Sequence, residues 1–267
     1  MSAWIGPAGS MVELLKSQAK VSGSRAARST FRSTIGGRVK EQRTTGLGRR
    51  SWAVSTGMLE TSEAAAFSSL LLAGTPPWCW VTDAAARTNL LTPEQSLLLP
   101  GTWSGTGVVE GGTVVAADGA VGIRSVAHTT GGQVEFVLRD GSSERPPVIA
   151  GVPATWSLYV RGAGNLQLQF VDYAGSVLST QNVAYSTGTV QRVSMTRTPP
   201  AGSARVRLWA TGALQAALPS LSWTSAAVPW AVGAGCTRAT VDGFDDSRVP
   251  ASAGVFANYD FEVREVG

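Results

Sequence analysis

The chain has 267 residues, is 43% hydrophobic and 15% charged, and contains 31 glycines with a formal net charge of +4. That length fits one large domain or two smaller ones, and low charge with abundant Gly, Ser, Thr and Val is the composition of an all-β protein rich in tight turns. No run of about 18 apolar residues could cross a membrane, and no charged segment followed by an apolar stretch opens the chain, so no signal peptide is read and synthesis in a cytoplasm is expected.

The first 24 residues open with Trp4-Ile5-Gly6-Pro7, and Met11–Leu15 is a short apolar run, read as an extended strand or arm. Phe31–Gly48 alternates weakly around Gly36-Gly37, the pattern of a β-hairpin or a long polar loop. Arg50–Ser55 alternates as a strand does. Residues 61–73 carry Ala64, Phe67, Leu70 and Leu71 at helical spacing, with Thr61 or Ser62 as cap, Glu63 in the first turn and Gly74 at the stop. Pro76-Pro77 forbids continuation. Trp78–Val81 then reads as a strand, Asp83–Ala86 as a short capped turn, and Asn89–Ser96 as a turn-rich exit.

From Trp103 to Trp223 short β-like runs recur between Gly, Pro, Asn and Asp: Thr113–Ala116, Gly122–Ala127, Val134–Leu138, Thr155–Arg161, Leu166–Asp172, Val177–Val183, Val190–Arg197, Ala204–Ala210 and Leu218–Trp223. Such spacing predicts a β-sandwich. Val232–Val241 and Ala257–Val266 are two further strands around a turn-rich Asp242–Gly254. Too few to fold alone, they are expected to return to the sheet begun before residue 96. The expected organisation is therefore a discontinuous base domain, residues 1–97 with 226–267, carrying an inserted sandwich at 98–225.

Charge is uneven. Residues 1–52 hold ten Lys and Arg against Glu13 and Glu41, a net +8, which leaves −4 for the rest. A basic arm can bind nucleic acid or an acidic surface. Without interleaved aromatics for base stacking, subunit contacts are the favoured reading. Cys79 and Cys236 are expected to be buried thiols, and with one histidine they cannot complete a tetrahedral zinc site.

Catalytic motifs are missing. His128 has no nucleophile elbow to serve and is read as a strand-end surface residue. Asp245-Asp246 and Asp260/Glu262 are the available carboxylate pairs for a glycosidase, and are read as solvated charges. No phosphate-binding or dinucleotide fingerprint occurs. No enzyme, cofactor or metal site is expected. The nine tryptophans are more informative. Aromatic faces can stack on the C–H patches of a pyranose. Core or interface is the commoner role, yet Trp156 and Tyr159 have opposite strand parity, so one of them can be exposed. The carbohydrate-binding candidates are Trp103, Trp156, Tyr159, Tyr173 and Tyr185, with Tyr173 and Tyr185 favoured as loop aromatics. Trp78 and Trp80 share parity, with Cys79 opposite, and their face packs either inside the base or against another subunit.

The series Trp4-Ile5-Gly6-Pro7, Arg49-Arg50-Ser51-Trp52, the 61–73 helix, Pro77-Trp78-Cys79-Trp80 and Asn89–Ser96 resembles minor tail proteins of long-tailed phages of actinobacteria. The layout is similar to siphophage distal tail proteins. The middle, with Thr155–Gly162 and Leu168–Asp172, looks like the jelly roll of carbohydrate-binding modules. The resemblance implies a mainly β fold, with a tube-like base bearing one helix and an inserted jelly-roll sandwich. It implies a non-enzymatic virion tail protein forming a homo-oligomeric ring, a hexamer, that joins tail tube to tail tip. The alternative is an adsorption protein that recognises host surface glycans; a cell-wall hydrolase and a nucleic-acid binder are weaker readings. On the tail reading, Arg38, Lys40, Arg43, Arg49, Arg50, Trp78 and Trp80 are the expected inter-subunit contacts. A tube lumen is expected to be acidic so that DNA slides through, which turns this basic arm toward neighbouring subunits.

Overall fold

The computed structural model describes residues 2–14, 20–25, 29–33, 39–43, 49–59, 61–136, 145–251 and 254–266. In chain order the elements are β1 (Ala3–Gly6), β2 (Val12–Leu14), β3 (Lys20–Arg25), β4 (Ser29–Ser33), β5 (Val39–Arg43), β6 (Arg50–Leu59), α1 (Thr61–Ala73), β7 (Trp78–Thr82), α2 (Asp83–Arg87) and α3 (Pro93–Ser96). They continue with β8 (Trp103–Gly111), β9 (Val114–Val115), β10 (Val121–Gly122), β11 (Ser125–Phe136), β12 (Ala154–Val171), β13 (Val177–Arg197), β14 (Arg205–Ser222), β15 (Cys236–Ala251) and β16 (Gly254–Glu265). The protein is mainly β, with antiparallel sheets, as its composition predicts. It divides into two compact units, one of Met1–Ser2, Glu13–Pro77 and Arg238–Gly267, the other of Ala3–Val12 and Trp78–Thr237. The expected insert at 98–225 lies within the second unit, which also takes Trp78–Leu97 and the chain up to Thr237.

The first unit holds antiparallel pairings of β15 with β16, β16 with β6, and β6 with β3. Helix α1 forms where its apolar spacing predicts. It seats Phe67, 0% exposed, with its ring centroid 5.3 Å from that of Tyr259 and 5.0 Å from that of Phe261. Burying a side chain of that size stabilises by about 2 kcal/mol. The helix ends at Gly74, whose amide bonds to the Leu70 carbonyl at 2.8 Å. A Cβ there would lie 2.3 Å from that same oxygen, so only glycine fits. The hairpin expected between Phe31 and Gly48 is β4 paired with β5; Gly36-Gly37 lies outside the described residues. The expected turn at 242–254 is corrected: β15 runs through it to Ala251, with a bulge between Asp242 and Asp245 where Gly243 takes φ +61.

The second unit is built on a five-stranded sheet in the order β13-β12-β14-β11-β8. Six of the expected short runs are fused in pairs into three long strands. Thr155–Arg161 and Leu166–Asp172 become β12, Val177–Val183 and Val190–Arg197 become β13, and Ala204–Ala210 and Leu218–Trp223 become β14. Strand β8, rich in glycine, was not expected at all. The glycines that read as breaks are bends. Phe136 pairs with Leu208, which pairs with Leu168 of β12. Trp156 lies twelve positions before Leu168, about 40 Å away along a straight strand. Yet the rings of Phe136 and Trp156 are 6.0 Å apart. The sheet must therefore fold over on itself, so that the two halves of each long strand face one another across one core.

The fold occurs where Gly164 pairs with Gly212. A Cβ on Gly164 would lie 1.7 Å from the Thr211 oxygen, and one on Gly212, at φ +98, 2.2 Å from the Ala163 oxygen. Tyr185 lies over this crossing and donates its hydroxyl to the Thr211 carbonyl at 2.9 Å. Inside the fold the even-numbered residues Trp156, Leu158, Leu166, Leu168 and Phe170 of β12 all join one core with Leu208 and Leu221 of β14.

The stretch from Asn89 to Ser96 is a joint within this unit. Asn89, 0% exposed, donates to the Pro219 and Ala231 carbonyls at 3.2 and 2.9 Å and accepts from the Leu91 and Leu221 amides at 3.2 and 3.1 Å. All four of its bonding positions are used. A capping box between Thr92 and Gln95, with proline at the first helical positions, then starts α3. Cys79 and Cys236 are both buried thiols that form no disulfide. His128 is corrected from a surface strand end to a buried position, 6% exposed, inside β11. The strand does not end there but bulges after it, and a Cβ on Gly132 would lie 2.5 Å from its ring nitrogen.

Candidate binding cleft

Strand β14 is irregular opposite Leu158. Ser157 pairs with Ser220 and Tyr159 with Ala217, so Leu218 and Pro219 together face one residue of β12. Such a bulge re-aims a side chain. Leu218 takes φ +54, a left-handed conformation costly for a leucine. The kink is tied down at Pro219, whose carbonyl accepts from Asn89 and, at 3.1 Å, from the Trp230 indole nitrogen.

Beside this bulge opens a cleft of about 700 Å³, lined by Asp118, Tyr159, Arg192, Leu218 and Trp230 among others. Tyr159 forms its floor and donates its hydroxyl to an Asp118 carboxylate oxygen at 2.8 Å. The second Asp118 oxygen accepts from the Ala120 amide at 3.1 Å. These two bonds, the amide first, hold the Asp118 carboxyl below its usual range. Burial first, and then the bond to Asp118, push the Tyr159 hydroxyl up. Arg192 places its guanidinium carbon 5.8 Å from the Tyr159 ring centre and donates from Nε and Nη2 to the Ser157 hydroxyl at 3.1 and 2.8 Å. Two of its five N–H groups are thereby fixed, and the others are free to donate to a ligand. The cleft thus offers an acceptor, a fixed fork of donors and a part-exposed indole. Such groups could hydrogen-bond a polyhydroxylated ring through Asp118 and Arg192 and stack its apolar C–H face on Trp230. Glycoside hydrolysis needs two carboxyl groups flanking the bond, and only Asp118 is a carboxylate among the residues lining this cleft.

The other sequence candidates fall elsewhere. Trp156 is 0% exposed in the core and presents no ring face to a ligand. Tyr185 is not a loop residue: it sits in β13, 6% exposed, and burial pushes its hydroxyl up to about 12. Trp103 is half-buried against the main core. Tyr173 is 68% exposed on the turn between β12 and β13, with the Arg205 guanidinium 5.8 Å from its ring centre. Tyr159 alone of the five lines the cleft. Asp118, Arg192 and Trp230 were missed, because they come from three segments far apart in sequence. The one local signal was Leu218-Pro219, a proline inside a strand-like run.

Of the expected inter-subunit residues, Arg50 is 8% exposed and spent within its own unit. Its guanidinium and amide make three bonds of 2.7–3.1 Å to Glu265, and its charge lies 5.1 Å from the Trp52 ring centre. Trp78 and Trp80 are 4% and 1% exposed within the second unit, so neither offers a face to another subunit. Arg49 is exposed. Arg38 and the side chains of Lys40 and Arg43 lie outside the described residues. Of the carboxylates, Glu262 accepts from Arg264 at 2.7 Å, and Asp245 and Asp260 pair across strands in solvent.

No protein-family model matches the chain, and no curated protein matches it. Among solved structures, one similar in fold is the enzymatically active domain of tailspike protein 4 of bacteriophage CBA120. It is 11% identical with a TM-score of 0.40, over 51% of this chain and 21% of that one, so the match spans about a fifth of the tailspike structure. A second is the CBM22-1 xylan-binding domain of Paenibacillus barcinonensis Xyn10C, 16% identical with a TM-score of 0.36 over 53% of this chain and 99% of that one. A third is the C-terminal CBM6 of LamC from Zobellia galactanivorans, 14% identical with a TM-score of 0.30 over 45% and 90%.

Proposed function

We propose that this chain is a virion tail protein whose sandwich, the insert at 98–225 with its flanking segments, holds a host-surface glycan. The observation that carries the reading is the cleft in which Asp118 and Arg192 both contact Tyr159, with Trp230 as a further lining residue. Its acceptor and donor groups are held by bonds to Ala120, Tyr159 and Ser157, so a ligand would meet them already ordered. Host cell-wall polysaccharide immobilised on a column is the test. The full chain should be retained, and the double variant Asp118→Asn, Arg192→Ala should elute at least tenfold earlier in affinity terms. Equal retention of both proteins would sink the cleft assignment.

A second reading concerns the first unit. Its discontinuous sheet, packed helix and separate β4–β5 strand pair favour a ring-forming hub that joins the tail tube to tail-tip proteins as a homo-hexamer. The exposed Arg49, with Arg38, Lys40 and Arg43 of the basic arm, would pair with a neighbouring subunit. Light scattering on the purified chain should then give a hexamer that Arg49→Glu weakens. A monomer at every concentration contradicts it.

A further inference from the structure

Adjoining the polar cleft, with Leu218 in the lining of both, lies a second hollow. It is smaller and more enclosed, about 170 Å³, with Leu97, Val121, Ile123, Leu218, Trp230 and Val232 as its apolar wall and Ser96, Gly122 and Arg124 completing the lining. The two hollows share Val121, Leu218 and Trp230. They are therefore neighbours across one ridge. The apolar hollow is not a closed part of the core: Val121 is 53% exposed, Ile123 73% and Val232 47%. Three large aliphatic side chains are thus left open around one small hollow, beside a cleft of fixed polar groups.

The ridge itself is strained. Leu218 keeps its left-handed backbone although a following proline already restricts it. Two hydrogen bonds on the Pro219 carbonyl hold it there, one from buried Asn89 and one from Trp230. Strain of this kind persists only where the surroundings over-determine it, and it concentrates at binding sites. Leu218 itself is 5% exposed, packed in a small cluster with Tyr159 and Ala217, and both it and the Trp230 indole line the two hollows.

Resting on the glycan reading above, we infer that the ligand is an acylated sugar: a pyranoside whose hydroxyls engage Asp118 and Arg192 while a short acyl group, N-acetyl or O-acetyl, enters the hollow between Leu218, Ile123 and Val232. A hollow of about 170 Å³ with a largely apolar lining has room for an acetyl group. An unacylated sugar would leave it filled with poorly bonded water, which an apolar group displaces with gain. Burying one acetyl group corresponds to about a tenfold difference in affinity.

The test titrates the full chain with chitotriose and with cellotriose by calorimetry, the two probes differing in their acetamido groups. Chitotriose should bind about tenfold more tightly. The variants Ile123→Ser and Val232→Ser alter open positions that do not threaten folding, and each should bring chitotriose down toward the cellotriose level. An O-acetylated xylotriose, compared with its deacetylated form, separates the two acyl sources. Equal affinity for acylated and plain sugars overturns the inference while leaving the glycan reading intact. So does binding of host polysaccharide with no response to either acylated probe. Failure of all the sugars and of the host polysaccharide removes both.

Discussion

Strand β14 leaves regular geometry twice, at Gly212 and at Leu218-Pro219, and the two places serve opposite ends. At Gly212 the backbone comes so near Ala163 that no side chain fits, and the sheet folds to enclose its own core. At Leu218 a side chain is kept in a conformation that glycine would adopt freely, and it lines two adjoining hollows. Where glycine stands, steric space decides the residue and the result is fold. Where leucine stands despite the backbone, the side chain has a use that outweighs about 1–2 kcal/mol of strain.

The comparison is broken most severely by Gly212→Val. Its branched side chain would strike the Ala163 carbonyl, and the second unit should lose its cooperative unfolding transition, a cost above about 4 kcal/mol. Circular dichroism melting shows this. Asn89→Ala comes next. It strips partners from the Pro219 and Ala231 carbonyls and the Leu91 and Leu221 amides, and should cost about 3 kcal/mol in urea denaturation. Ligand affinity should fall with it, because Pro219 loses one of its two restraints. A loss under about 1 kcal/mol would show that Trp230 alone holds the bulge.

Alkali acts on the glycine bend through Tyr185. Its folded pKa, about 12, lies above the ordinary value of 10.0. Its contribution is therefore complete below pH 10 and lost as pH climbs toward 12. A Tyr185→Phe protein should show a shallower stability decline across that window. Acid acts on the cleft with the opposite sign. The Asp118 carboxyl is held low, so its bond from Tyr159 persists through neutral and mildly acidic pH and fails only as pH falls below the ordinary carboxylate range. Glycan retention measured from pH 8 to pH 5 should be flat. The smallest effect expected is on stability in Leu218→Gly, where relief of about 1–2 kcal/mol of strain offsets only part of the lost burial and leaves a net cost of about 1–2 kcal/mol. Its ligand affinity should still fall, and an unchanged affinity would strip the ridge of its role.

The sequence was a good guide where structure is local. Helix α1 was legible because Ala64, Phe67, Leu70 and Leu71 repeat on one face and Gly74 closes the last turn. The strand-rich middle was legible as β, but its strands were cut too short. Gly162, Gly164 and Gly212 look like punctuation, and only the pairing across strands shows that the ladder continues through them. The cleft was nearly invisible. Tyr159 was nominated by parity, but its partner Asp118 lies on a tight turn and Arg192 in the next strand, and Trp230 follows the sandwich. No spacing rule links them. Arg50 was assigned outward because charge alone does not reveal a carboxylate 215 positions away.

The central claim is that the cleft holds the ligand; Trp230 is then the indole that reports it. Nuclear magnetic resonance of the side-chain indole N–H groups, assigned by Trp230→Phe, tests it on the intact chain. On adding chitotriose or host polysaccharide, the Trp230 signal should shift first and most, while buried Trp156 and Trp80 stay in place. A shift confined to Trp103 or Trp209, or none at all under saturating polysaccharide, would contradict the account.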